Sequence, residues 1–149
     1  MLYLFAIVLT NLHLIYHQVT TRIDLFPFNN VRVYTRKERL TEAGIHFFSM
    51  GFPVVALLTG HKIMALVAAI ELGLMFAGEI YTWWTAYFFG ARFALQSNWS
   101  ELHQRIFSKT IILLPARGKN PVPNLEHCIL HTLTLLSGVA CLLYYIYGL

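Results

Sequence analysis

The chain has 149 residues, 57% of them hydrophobic and only 12% charged, and a mean hydropathy of +0.58. Soluble domains carry about a quarter charged residues, so this composition excludes an ordinary soluble globular protein and points to the membrane class. The net charge of +4 comes without the pattern of a nucleic-acid-binding module. The basic residues lie beside apolar runs, where anionic lipid headgroups are their natural partners.

The first apolar run, residues 2–18 (LYLFAIVLTNLHLIYHQ), lacks a basic leader and a small-residue cleavage site, so it reads as a retained helix and not a signal peptide. It carries Asn11, His13 and His17. A polar connector, residues 20–41, follows, with turn chemistry at Phe26-Pro27-Phe28 and Asn29-Asn30. Thr35 with Glu38 three residues on makes a capping box, which starts a second helix near Arg36 and leads into a span at 43–60, kinked at Pro53. Gly60-His61-Lys62 is a very short turn and predicts an antiparallel hairpin with the third span.

That third span, 63–86, belongs to an apolar run interrupted by Glu71 and Glu79, two carboxylates that are expensive inside a bilayer. Trp83-Trp84 reads as a membrane-interface belt. Gly73 and Ala77-Gly78 read as positions of close helix packing. In the next connector, residues 91–123, Asn98 with Glu101 caps a short amphipathic helix whose Trp99, Leu102 and Ile106 share one face. Asn98-Trp99-Ser100 matches a glycosylation sequon, but the topology below places it on the wrong side of the membrane. Asn124 then caps a fourth span at 125–147. Cys128 and Cys141 lie about 20 Å apart along that helix, beyond disulfide reach, and read as buried thiols.

The expected architecture is all-α: one polytopic membrane domain over residues 1–149, with four transmembrane helices in a bundle and the amphipathic helix in the third connector. Ten of the eleven Lys/Arg fall in the first and third connectors, against Lys62 alone on the other side. The positive-inside rule then places both long connectors in the cytoplasm and both termini outside a cytoplasmic membrane.

At about 1.5 Å per residue, His13, His17, His46, His127, His131 and Glu79 reach a similar depth in the cytoplasmic half, drawn from all four helices. His13/His17 and His127/His131 are i,i+4 pairs, each on one helix face. Imidazole and carboxylate together suit a transition metal, giving His13, His17, Glu79, His127 and His131 as candidate ligands. His13, His46, His127 and His131 are the candidate cofactor-binding set, including a haem clamped by two histidines. Glu79 is the candidate catalytic acid or base, and Tyr81, Trp83 and Trp84 are candidate walls of a substrate pocket.

Plainer roles stand beside these: His17 and His46 as interface residues, His61 and His103 as surface residues, Glu126 at the helix dipole, and Glu71 paired with Asn11. The functional reading is a small integral membrane protein that binds a metal, a haem or an apolar small molecule and acts on a lipid-like substrate. The alternative is a non-catalytic membrane subunit or small transporter component whose carboxylates serve packing or proton and substrate passage. The expected partners are membrane lipids, an apolar ligand, and a second copy or another membrane protein, with no nucleic acid.

Overall fold

The computed structural model describes residues 1–93, 96 and 98–148, and among these it contains helices and no strands. Four helices are long and apolar enough to cross a membrane: α1 (Leu2–Arg22), α2 (Arg36–Leu58), the long helix Lys62–Phe89, and α6 (Leu125–Tyr147). The long helix is made of α3 (Lys62–Glu79), a π-helical turn (Ile80–Trp84) and α4 (Thr85–Phe89). A short α5 (Trp99–Ile106) lies in the connector that follows.

Burial in these helices is inverted relative to a soluble bundle. The inward stripe of α1 is Ala6, Thr10, His13, His17 and Thr20, spaced three or four apart, whereas Leu4, Phe5, Val8, Leu12 and Ile15 are exposed. α6 likewise buries His127, His131, Thr134, Ser137 and Cys141 and exposes Leu135, Leu136, Val139 and Leu142. The small groups let the helices approach, His13, His131 and Thr134 bond across helices, Thr10 and Thr20 bond their own helix, and the large aliphatic side chains suit a lipid solvent.

Each helix packs on two others, α1 on α2 and α6, and α3 on α2 and α6, which closes a four-membered ring. A core of Ala6, Ala56, Leu57, Ala65, Ala68, Leu72, Ala140 and Cys141 fills one end. Tyr3 of α1 joins the helices of that end, donating to Leu57 O of α2 at 3.2 Å and resting on Tyr144 of α6 at 5.2 Å between ring centres. At the opposite end the two long connectors meet, with the Ile111 N–H donating to Pro27 O at 3.0 Å.

Local chemistry sets the helix ends. The Thr35 capping box forms as expected: the Glu38 N–H donates to Thr35 Oγ1 at 3.2 Å, and the Thr35 N–H donates to the Glu38 carboxylate at 2.7 Å. Asn124 caps α6 by accepting from the His127 N–H. Asn98 stands at the start of α5, but its side chain makes no cap bond. α5 is held by other means: Trp99, Leu102 and Ile106 pack with Trp83 and Phe107, and Arg105 pairs with Glu38 at 2.6 Å. Glu38 holds the Arg105 guanidinium's pKa above its ordinary value by that hydrogen bond. Gly60 turns the α2–α3 hairpin in the left-handed region, φ 73°, and Gly90 ends α4 at φ 83°.

Three expectations about packing change. Trp83 is only 6% exposed and turned into the bundle, because the π-helical turn shifts its register inward; it is no interface-belt residue. Gly73 and Gly78 do not mark close helix contacts, since a Cβ at either would meet nothing within 4 Å. The close approach between α3 and α6 is instead at Gly138, whose Cβ would stand 3.4 Å from Leu72 Cβ. His103 is not a plain surface residue: its Nε2 lies 2.7 Å from Val122 O and ties α5 to the entry of α6. Cys128 and Cys141 are free thiols.

Candidate functional site

The polar end of the bundle encloses a cavity of about 430 Å³. Histidines from three helices line it, His17, His46, His127 and His131, together with Glu42, Glu79 and Tyr34. Its apolar wall is Met50, Met75, Trp83, Ile106, Phe107 and Leu130. A wider cleft of about 640 Å³ shares Tyr34, Glu42, His46 and Leu102 with this cavity and has Lys37 at its rim, so the cavity opens sideways between α2 and α5. Burial among the Glu42, Glu126 and Glu38 charges raises the pKa of Tyr34 above the ordinary phenol value, which keeps it a neutral hydroxyl.

The π-helical turn supplies Thr82 and Trp83 to the cavity wall. A π turn widens the helix and frees carbonyls from their usual partners. Gln96, 1% exposed, supplies the missing donor: its amide donates to Tyr81 O at 2.7 Å and to Thr85 Oγ1 at 2.8 Å. Its own oxygen accepts from the Arg92 and Phe93 N–H groups. The turn brings Trp83 onto His127, 3.9 Å between ring centres, and carries Trp84 to His131, where the indole N–H donates to Nδ1 at 3.1 Å.

On one side of the cavity, donor atoms of His17, Glu42 and His46 all lie within 4.8 Å of one another, the one such group among the described residues. Glu42 and His46 share a face of α2 at i,i+4, and His17 reaches across from α1. Thr21 donates its hydroxyl proton to His17 O at 2.7 Å, so at 3.3 Å from the ring it accepts from His17 Nδ1–H. That leaves the lone pair on His17 Nε2, which stands 4.0 Å from Glu42 Oε1. An oriented ring with a free Nε2 is the usual state of a metal-ligating histidine. His46 Nδ1 is buried with no hydrogen-bond partner. Ligands on one ion stand about 3–4 Å apart at bond lengths near 2.1 Å, so small side-chain rotations close the set. Behind His17 and Glu42 lies a void of about 20 Å³, the size of one water, among Thr20, Arg39 and Glu126.

On another side, Thr134 Oγ1 joins three helices. It stands 2.8 Å from Glu79 Oε1, 3.0 Å from His13 Nε2 and 3.1 Å from Leu130 O. A hydroxyl has one proton to donate. If that proton goes to Glu79, His13 must present Nε2–H; if it goes to His13, Glu79 must itself be protonated; if it goes to Leu130 O, the hydroxyl accepts from His13 Nε2–H and from a protonated Glu79. A charged Glu79 therefore requires Nε2–H at His13, and His13 Nδ1 and Glu79 Oε2 remain buried without partners at the two ends of the chain.

The sequence-derived residues thus divide. His17 joins the metal-competent group, with His46 from the cofactor set and Glu42, which the sequence reading did not single out. His13 and Glu79 meet through Thr134. His127 and His131 line the cavity, and the Trp84 bond keeps the proton of a neutral His131 on Nε2, which does not suit metal ligation there. Trp83 is a cavity wall, Trp84 acts on His131, and Tyr81 pairs with Phe93 at 5.0 Å instead of lining the cavity. His61 is exposed at the α2–α3 turn. Glu71 does not reach Asn11, whose amide donates to Ile7 O at 2.8 Å, and Glu71 Oε2 is buried without a partner.

Fold and site together define a small protein with four helices able to span a membrane and a histidine–carboxylate group able to hold a metal ion. No family model matches the sequence, and no match was found among curated proteins or solved structures.

Proposed function

We propose that this is a multi-pass membrane protein that holds a divalent transition-metal ion at His17, Glu42 and His46 and presents it to the internal cavity. The observation that carries this reading is the convergence of the three donor atoms within 4.8 Å on the cavity wall. Two imidazoles and one carboxylate with open positions form a ligand set used for catalytic zinc and non-haem iron. Such an ion polarises a substrate oxygen or activates water. A haem is disfavoured at this pair, because the His17 and His46 rings stand 4.4 Å apart between centres and leave no room for a porphyrin.

The chain's own groups supply the rest. The apolar wall binds a lipid-like body, Trp83 and Phe107 exclude water, and Glu79 gives or takes a proton through Thr134 and His13. The basic end of the bundle lies in the cytoplasm on this reading, with both termini outside. Glu71, with its orphaned oxygen in the middle of α3, favours a second role there: contact with a second copy or another membrane protein, or passage of protons.

Elemental analysis of the detergent-purified protein tests the metal directly. One ion per chain is expected in the wild type, with loss in His17→Ala, Glu42→Gln and His46→Ala. A metal-free wild type, or full occupancy in all three variants, overturns the metal reading. Occupancy should also fall as pH drops, because histidine ligands bind only when neutral.

A further inference from the structure

The two α6 histidines in the cavity are fixed in opposite hydrogen-bonding senses. The Trp84 indole is a donor only. It faces His131 Nδ1 at 3.1 Å, so that nitrogen carries the lone pair and the ring proton sits on Nε2. His127 Nδ1 faces Asn124 Oδ1 at 2.6 Å. That atom is the amide oxygen, because it also accepts the His127 backbone N–H at 3.2 Å while Asn124 Nδ2 donates to Thr110 Oγ1 at 2.9 Å. An oxygen there requires Nδ1–H, so His127 carries its lone pair on Nε2. Within one turn of α6, 5.8 Å apart between ring centres, the cavity has one ring whose free nitrogen donates and one whose free nitrogen accepts.

We propose that His127 and His131 form a recognition site for a neutral group that donates and accepts at once: the hydroxyl of an apolar-bodied alcohol. A hydroxyl accepts from His131 Nε2–H and donates to His127 Nε2, satisfying both rings without a change of protonation. A carboxylate sets acceptor against acceptor at His127. An ammonium sets donor against donor at His131. The hydroxyl's chain lies against Trp83, Phe107, Met50 and Met75. The inference rests on the cavity being a ligand site, as in the reading above, but not on the metal.

The test uses the full chain in lipid nanodiscs with 1-decanol, decanoate, decylamine and decane as probes, counted by native mass spectrometry. Decanol is expected to bind about tenfold tighter than each of the others, the worth of one well-placed neutral hydrogen bond. Trp84→Phe removes the donor that fixes His131 and should abolish that preference while decane binding stays unchanged. Ring ¹⁵N NMR reads the tautomers directly: Nε2–H at His131 and Nδ1–H at His127 are expected. Equal binding of the four probes, an unchanged preference in Trp84→Phe, or the same tautomer at both rings overturns the proposal. Decanol preference in a metal-free protein would sink the metal reading alone; a bound metal without that preference would sink this inference alone.

Discussion

A single hydroxyl at Thr134 lies within hydrogen-bond distance of His13, Glu79 and the carbonyl of Leu130. Thr134→Val keeps the shape and removes the hydroxyl, which leaves a buried imidazole nitrogen and a buried carboxyl oxygen unpaired. An unmade buried bond costs about 1–3 kcal/mol in water-soluble proteins, and membrane bonds run lower, so a loss of about 1–2 kcal/mol is expected. Thermal unfolding in detergent measures it. Thr134→Ser should restore most of it, and a Val variant as stable as wild type would show that the chain of bonds is not formed. The sequence named His13 and Glu79 by depth, since a carboxylate and imidazoles at one level in an apolar bundle need partners. Thr134 was not legible, because a threonine inside an apolar span is common and bonds its own helix backbone equally well. Glu42 was missed for a different reason. The span boundary at 43 cut it from His46, although the Thr35 capping box already put both on one helix at i,i+4.

Helix existence and order follow from long apolar runs bounded by caps and glycines, and these were readable. The π-helical turn at Ile80–Trp84 was not, because it depends on Gln96, a residue of the following connector, closing on the freed Tyr81 carbonyl. Through that turn the Trp83-Trp84 pair becomes one cavity wall and one donor to His131. Just before the turn, α3 carries Gly78, at the cavity edge with open space where a Cβ would stand. Here the two interpretations of a membrane glycine differ in sign. A glycine at a tight helix crossing loses stability when replaced by alanine. A glycine facing open space gains about 0.5–1 kcal/mol, because alanine restricts the unfolded chain and favours helix. Gly78→Ala is therefore expected to raise the unfolding temperature, as is Gly73→Ala. A fall in either would mean that another helix covers that face.

At the scale of the molecule, the two ends of the bundle differ in kind. One end packs small and aliphatic residues around Leu57, Ala68 and Cys141. The other holds the cavity, the metal-competent group and the joined connectors. Ten of the eleven Lys/Arg lie in those two connectors or in the helix ends that flank them, so the chemistry and the positive charge share one end. Positive charge flanking a span resists translocation, and this bias should set the orientation of the bundle. With the basic end inside, as proposed, the cleft between α2 and α5, with Lys37 at its rim, would meet the inner leaflet, where anionic headgroups are enriched. Orientation can be read with Cys128 and Cys141 replaced by serine and alanine and one new cysteine introduced at a time. In right-side-out vesicles, a membrane-impermeant maleimide should label His61→Cys at the α2–α3 turn and spare Lys119→Cys in the long connector. Both parent residues are exposed, so accessibility from one side or the other is all that separates them. Labelling of Lys119→Cys with protection of His61→Cys would invert the bundle and turn the cavity mouth to the outer leaflet. Lys37 would then face the outer leaflet, while the ligand group and the cavity would keep their geometry.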